Sequence, residues 1–335
     1  MKTRLTPFAR LMIVLAVVAA GYFGVQYLLH GELLPKKDTT ADTEVNVEQT
    51  EESSSNSESS EAKTNASPRQ KFNFTPPAPV GGKMKGVVEL GAAGFNSFIV
   101  TIDNQKNWKL EKAEWGNSLV YDGLSSGKDI TSGLKQYIAN MLDYGVGGKD
   151  IHFVVSSGAK KVAETQKIID GLKSLGYFVN EVTPEKEAQL ALKCALPKTY
   201  ENSAFVVDIG SGNTKLSWME GSRIAGFETY GAKYYVDGVQ DSKVYLDVRT
   251  EAAKVPNTKR GTCFIIGGVP FTFAKEVRDG EERYTVLKAP DDYSPEGAKE
   301  KCGQNIYKAI ADATNCEKFI FDWEANFTIG FLLTL

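Results

Sequence analysis

The sequence predicts an α/β protein with a mixed sheet, and three observations lead to that prediction. A hairpin of two apolar runs around a turn of small residues occurs twice, and its first run carries an acid near its end, at Glu89 and again 119 residues later at Asp208. Between the two copies the pattern alternates strand, helix, strand and helix. After the second copy, a buried-type strand breaks at the pair Gly267-Gly268 and continues as a helix.

The N-terminal segment predicts a membrane anchor. Residues 11–29 form a run of 19 uncharged residues, and a bilayer core of about 30 Å needs about 20 apolar residues in a helix. Lys2, Arg4 and Arg10 precede this run, which favours a cytoplasmic N-terminus, residues 1–10, and an exported C-terminal domain of a single-pass inner-membrane protein. A signal peptide cleaved near Ala20 is the alternative, but it leaves the later apolar residues without a use.

Residues 30–82 predict a disordered linker. Eight acidic residues and no Lys or Arg lie between Asp38 and Ala62, and a proline-rich stretch follows. Such a composition cannot bury enough apolar surface to offset the entropy cost of ordering the chain. The folded part therefore begins near residue 83.

Several functional classes are disfavoured by composition. The chain has two histidines and four cysteines, with no CxxC pair, so neither a His-based metal site nor a zinc site is indicated. No basic stripe interleaved with aromatic residues is present, which argues against a nucleic-acid partner. The motifs GxxxxGK[ST] and GxGxxG are absent from the sequence, and this excludes the P-loop and Rossmann types of phosphate site.

The two hairpins predict a phosphate-binding site. Small residues let backbone N–H groups approach phosphate oxygens, and a neighbouring carboxylate can hold a divalent cation or orient water. One such hairpin could be an ordinary β-turn, whereas two copies point to function. The predicted phosphate-binding residues are Gly91, Ala92, Asn96, Ser97, Gly210, Ser211, Gly212, Asn213, Thr214, Lys215, Gly267 and Gly268, and the predicted metal ligands are Glu89 and Asp208.

Helix signals precede the second hairpin. Thr183 is a candidate N-cap and Pro184 suits the first turn. The helix that follows carries Glu187 among small and apolar residues. The C-terminal part predicts a helix ending near Thr314, then a strand and a final apolar segment, with Trp323 and the neighbouring phenylalanines in the core.

These motifs resemble the exopolyphosphatase and guanosine-pentaphosphate phosphohydrolase family of the actin-like ATPase superfamily. The family's DIGGGSTEL corresponds to DIGSGNTKL here, its SGEEEARL to TPEKEAQL, and its GVGGT to the region of FIIGGVPFTFA. The resemblance covers about residues 85–275. It implies a two-lobed, ribonuclease H-like fold with a cleft between lobe I, residues 83–203, and lobe II, residues 204–335.

Carried over by position, Glu187 matches the family's catalytic glutamate and Asp208 its metal-associated aspartate. The resemblance thus implies a magnesium-dependent hydrolase of phosphoanhydrides. The sequence departs from the family at Lys215, which replaces an acid, and at Gln189, which replaces an arginine. Lys215 could grip phosphate directly, or it could point to solvent from the returning strand.

Two functions therefore remain open at the level of sequence. The first is a membrane-anchored, exopolyphosphatase-like enzyme that acts on polyphosphate or a nucleotide with Mg²⁺. The second is a catalytically inactive sensor of the same ligands, or a scaffold with partners in a membrane complex. The loss of an acid at Lys215 and the expected export of the domain favour the second.

Overall fold

The structure is a computed structural model that describes residues 71–91, 94–115, 127–161 and 163–335, all within one compact unit. The predicted N-terminus, anchor and most of the predicted linker, residues 1–70, lie outside the described residues. In the part of the chain that is described, no helix combines the length and apolar character needed to cross a bilayer.

The described residues contain eleven strands and seven α-helices. The strands are β1 Lys83–Gly91, β2 Gly94–Ile102, β3 Trp108–Trp115, β4 Ile151–Val155, β5 Val179–Glu181, β6 Ala204–Ile209, β7 Asn213–Glu220, β8 Arg223–Tyr230, β9 Thr262–Gly267, β10 Tyr284–Val286 and β11 Phe319–Asp322. The helices are α1 Gly127–Asp143, α2 Ala163–Ser174, α3 Pro184–Ala195, α4 Asp241–Ala252, α5 Gly268–Val277, α6 Ala298–Thr314 and α7 Phe327–Leu332.

The strands form two mixed sheets of related topology. The first has the order β3-β2-β1-β4-β5 and the second β10-β11-β9-β6-β7-β8. In each sheet a three-stranded antiparallel meander begins with the acidic hairpin, and the first strand of that meander also pairs in parallel with a later strand. The predicted mixed α/β fold, with one acidic hairpin in each sheet, is confirmed.

Helices cover both sheets, so that the fold has five layers. Strand alternation places Val87 and Val206 towards the middle of the molecule and Val88 and Val207 towards the outside. α1 and α2 pack on the outer face of the first sheet, and α4, α5 and α6 pack on the outer face of the second. α3 and α7 fill the middle layer between the sheets.

The middle layer is tightly packed because of one glycine. Gly330 in α7 lies so close to the backbone carbonyl of Leu190 in α3 that a Cβ atom there would overlap it. The two helices therefore contact each other through their backbones. α3, which carries Glu187, is held between the sheets.

The predicted linker ends earlier than residue 82, which corrects the sequence-based boundary. Phe72 and Phe74 pack on the middle layer, and the ring centroid of Phe72 lies 5.5 Å from those of Tyr200 and Tyr284. Composition concealed this contact, since two phenylalanines among Pro, Thr and Ala do not change the average polarity of the segment. Residues 71–82 therefore belong to the folded unit.

Candidate functional site

A cleft of about 460 Å³ lies where the two hairpin turns, the start of α3 and the start of α5 come together. Its position follows from topology, because the turns lie at the carboxyl ends of β1, β6 and β9, where α/β folds admit ligands. Nine of the predicted phosphate-binding residues line it: Gly91, Asn96, Gly210, Ser211, Gly212, Asn213, Lys215, Gly267 and Gly268, joined by the acids Glu89, Glu187 and Asp208.

The second turn is shaped by two close backbone approaches. The N–H of Gly210 donates to the carbonyl oxygen of Asn213 at 3.0 Å. Gly231 lies directly against the backbone of the turn, where a Cβ atom would overlap the nitrogen of Asn213. These contacts leave the turn no room for larger residues at either glycine.

Cross-strand pairing decides what faces each acid. Glu89 lies opposite Asn96 in the first hairpin, and Asp208 lies opposite Lys215 in the second. Residues directly opposite in an antiparallel pair have their side chains on the same face of the sheet. The first acid is therefore met by an amide and the second by an ammonium group.

Lys215 is buried and bridges two acids, which settles the alternative that the sequence left open. Its side chain is 4% exposed, and its Nζ lies 2.8 Å from Oε1 of Glu187 and 3.8 Å from Oδ2 of Asp208. It does not point to solvent. The ammonium group occupies the space between the two carboxylates that were predicted to be catalytic.

Glu187 is fully engaged at the start of α3. Thr183 caps this helix by accepting a hydrogen bond from the N–H of Lys186, as predicted, and the first turn then directs Glu187 into the middle layer. Its Oε2 accepts hydrogen bonds from the backbone N–H of Ser157, at 3.1 Å, and from the Ser157 hydroxyl. With Lys215 on Oε1, both carboxylate oxygens have donors.

Glu89 is held by two amides. Its Oε2 accepts from Nδ2 of Asn96 and from Nδ2 of Asn326, each at 3.0 Å. Burial raises the pKa of Glu89 to about 7. The two amides act to lower this pKa, whereas the neighbouring acids Glu187 and Asp208 add to the increase. Glu89 thus changes charge near neutral pH.

The pKa values of the second pair follow the same physics. Burial raises the pKa of Asp208, and the charge of Glu187 adds to the increase, although Lys215 opposes it. For Lys215, burial acts to lower the pKa, but Asp208, Glu187 and Glu89 together outweigh burial and the pKa is raised. Lys215 therefore stays protonated throughout the physiological range.

The magnesium that the sequence predicts for a catalytic form would compete with protein donors for these residues. Asp208 and Glu187 direct oxygens at the ammonium of Lys215, and Glu89 directs one at two amide donors. Among the described residues, no three His, Cys, Asp or Glu side chains converge as a metal-binding group. The metal role of Glu89 and Asp208 therefore stays a prediction, and the ammonium of Lys215, 3.8 Å from Oδ2 of Asp208, supplies a positive charge beside one of the two acids.

Some residues that line the cleft have backbone N–H groups without a protein acceptor among the described residues. Considering only partners that the structure describes, the N–H groups of Gly158, Ser211 and Gly212 donate to no protein acceptor. Gly158 and Gly212 lie side by side, with 3.9 Å between the Cα of Gly158 and the place of a Cβ on Gly212. Clustered N–H groups of this kind can bind an anion without a basic side chain.

Three predicted site residues are not placed at the cleft. Ala92 lies outside the described residues. Ser97 is buried beside Tyr137, and the side chain of Thr214 is fully buried, and neither lines the cleft. Both follow a residue that faces the cleft, and strand alternation turns them to the other face of the sheet.

The sequence missed residues that come from distant parts of the chain. Ser157 and Asn326 hold the acids, and Lys299 lines the cleft beside Gly268. The prediction that Trp323 is in the core is corrected, because it is only partly buried and lines the cleft. The one available signal for Trp323 was its position directly after Asp322 at the end of β11, because residues at strand ends reach the edge of the cleft.

Comparisons with solved structures find the same fold. A Ppx/GppA family member of Aquifex aeolicus aligns with a TM-score of 0.58 at 18% identity, over 75% of this chain and 97% of that one. An exopolyphosphatase from Cytophaga hutchinsonii aligns with a TM-score of 0.59 at 14% identity, over 75% of this chain and 97% of that one. No family model and no curated protein matches the sequence. The structural resemblance to Ppx/GppA proteins that the motifs predicted is confirmed, and at these identities it is a resemblance of fold.

Proposed function

We propose that the cleft binds a phosphate chain or a nucleotide without hydrolysing it, so that the protein acts as a sensor or scaffold, held at a membrane by the predicted helix of residues 11–29. The observation that carries this proposal is the buried contact of Lys215 with Glu187 and Asp208. This contact bears on two requirements of a phosphoanhydride hydrolase, a bound metal ion and a general base.

The metal requirement is unmet for an electrostatic reason. A phosphoanhydride hydrolase needs positive charge on the phosphate oxygens and a cation is its usual source. Here the charge of Lys215 is neutralised by two carboxylates, and its 2.8 Å contact with Glu187 occupies the oxygen that a cation would use. A cation could enter only if the lysine left a buried ion pair.

The base requirement fails at Glu187. A general base must lie within hydrogen-bond reach of the proton it takes, directly or through one water. Both oxygens of Glu187 already accept hydrogen bonds, from Lys215 and from Ser157. An attacking water would therefore have to compete with these donors for the carboxylate.

Ligand binding is supported by the free amides. Gly158, Ser211 and Gly212 line a cleft of ligand size, and their N–H groups have no acceptor among the described residues. The acids oppose an anion, but Glu89 is partly protonated near neutral pH and Asp208 is offset by Lys215. Binding through backbone donors therefore does not require catalysis.

Hydrolysis is the second candidate, because Glu89, Glu187 and Asp208 do face one cleft. The experiment that separates the two uses the full chain, purified in a mild detergent, with ATP and tripolyphosphate as probes. Calorimetry in EDTA should detect binding of at least one probe. Phosphate release should stay at background with and without Mg²⁺, and Glu187→Gln should not change it.

The opposite outcome is equally clear. If the wild type releases phosphate in a magnesium-dependent manner and Glu187→Gln lowers the rate roughly 10²- to 10⁴-fold with affinity intact, the protein is a hydrolase. If neither probe binds, the ligand class itself is wrong.

A further inference from the structure

One wall of the cleft consists of aromatic rings that the binding of phosphate does not use. Trp115 is 58% exposed and Phe271 is 39% exposed, and both line the cleft together with the partly buried Trp323. Large aromatic side chains are seldom left this accessible, and an accessible cluster inside a pocket indicates a ligand surface.

The three rings come from separate elements and still form one surface. Trp115 ends β3, Phe271 lies in the first turn of α5, and Trp323 follows β11. The ring centroids of Trp115 and Phe271 are 6.3 Å apart, and those of Phe271 and Trp323 are 5.2 Å apart. The surface therefore spans both sheets.

Neighbouring side chains contact two of the rings. The guanidinium of Arg278 lies 3.9 Å from the ring centroid of Trp323, and Phe98 packs against Trp115 with centroids 5.2 Å apart. A ring held by its neighbours can serve as a stacking platform, because it loses little side-chain freedom when a ligand binds.

The distance from this surface to the acids and amides follows from the sheet registers. Trp115 lies opposite Asn96, which lies opposite Glu89, so β3 is two strands from the first acid. β11, before Trp323, is likewise two strands from β6, which carries Asp208. Two strand spacings are about 10 Å, comparable to the separation between the base and the terminal phosphates of a nucleotide.

We propose that Trp115, Phe271 and Trp323 form a ring-binding subsite, which makes the ligand of this cleft a nucleotide rather than a linear phosphate chain. The proposal rests on the proposed function, since the phosphates occupy the amides of Gly158, Ser211 and Gly212. The base stacks on the rings at the other end of the same cavity. Stacking accepts any base, so the subsite selects for the presence of a ring and not for its identity.

The test compares probes and variants on the full chain in detergent, by calorimetry in EDTA. ATP and GTP should bind at least tenfold more tightly than tripolyphosphate. Trp115→Ala and Phe271→Leu should each weaken ATP binding roughly 5- to 150-fold, the range for loss of one stacking contact, and leave tripolyphosphate binding unchanged. Phe178→Ala is the matched control, because Phe178 is 79% exposed and does not line the cleft.

The outcomes separate this inference from the proposed function. Equal affinity for ATP and tripolyphosphate, or ATP binding that is insensitive to both variants, overturns the ring-binding subsite and leaves phosphate binding intact. Failure of all three probes to bind overturns both. Since Trp115 is exposed, Trp115→Ala should fold; a thermal midpoint equal to that of Phe178→Ala checks this.

Discussion

Replacing Lys215 by methionine tests the central feature of the site. Methionine has a similar length but no charge, so Lys215→Met leaves Glu187 and Asp208 buried without their shared cation. Their side chains are 5% and 11% exposed, and that of Lys215 is 4% exposed. Removing one partner of a buried ion pair costs about 3–5 kcal/mol of stability, which lowers the thermal midpoint by about 6–20 °C in a domain of this size.

The loss should depend on pH. The pKa of Asp208 is already raised by burial, and without the ammonium it should rise further, so Asp208 takes up a proton as the pH falls. A protonated carboxyl is less costly to bury than a charged one. The destabilisation is therefore largest near pH 8 and smaller near pH 5, and Glu187→Gln added to Lys215→Met should restore part of it.

The assay is urea unfolding of the full chain in detergent, followed by tryptophan fluorescence at both pH values. Lys109→Met is the matched control: Lys109 contacts Glu111 at 2.9 Å, but its side chain is 64% exposed, and such a pair contributes about 0–1 kcal/mol. If Lys215→Met falls within 1 kcal/mol of the wild type at pH 8, Lys215 is not the buried cation of this site.

Two further predictions follow from the same geometry, and a third follows from the charges of the N-terminal segment. The pKa of Glu89 is raised from 4.5 to about 7, so the folded state binds the proton more tightly than the unfolded state, and wild-type stability should fall as the pH rises from 4.5 to 7. Glu89→Gln should flatten this slope and should be more stable than the wild type above pH 7, by at most about 3 kcal/mol. An unchanged slope in urea titrations would contradict this. Gly212→Val should fold, because a Cβ there meets only Gly158 at 3.9 Å, but it should abolish tripolyphosphate binding in calorimetry. Gly148→Val, at a similarly open position outside the cleft, is the control. If Gly212→Val still binds tripolyphosphate, the anion binds elsewhere. Lys2, Arg4 and Arg10 ahead of residues 11–29 predict that alkaline phosphatase fused to the C-terminus is active and that a cytoplasm-dependent reporter is silent; the reverse would place the domain in the cytoplasm.

Local patterns predicted the fold and the centre of the site. Both hairpins, the capped helix carrying Glu187 and the strand ending at Gly267 are encoded within short stretches, because turn residues, strand alternation and helix caps act over a few positions. The two acids and their turns meet at one cleft since both sheets repeat the same topology. This much needed no knowledge of long-range contacts.

The missed residues depend on contacts that composition does not encode. Asn326 reaches Glu89 across 237 residues and Ser157 reaches Glu187 across 30, and a single Asn or Ser after a strand has no distinguishing pattern. Trp323 follows the apolar strand Phe319–Asp322, and hydrophobicity alone predicts burial for it. Its exposure is decided by where the cleft opens, which is a property of the assembled sheets.

The orientation of Lys215 could have been derived, and that derivation explains the charge of the site. A hairpin with Ile209 opposite Thr214 must place Asp208 opposite Lys215, and directly opposite residues share a face. Asp208 faces the middle layer, where Val206 on the same strand also points, so Lys215 must point there too. An acid at this position would add a third carboxylate beside Glu187 and Asp208 and would need an external cation to neutralise them. A lysine supplies that positive charge from within the chain. A cleft built in this way can hold its acids together without a metal, and for this reason we propose that it binds ligands through its backbone donors and its rings.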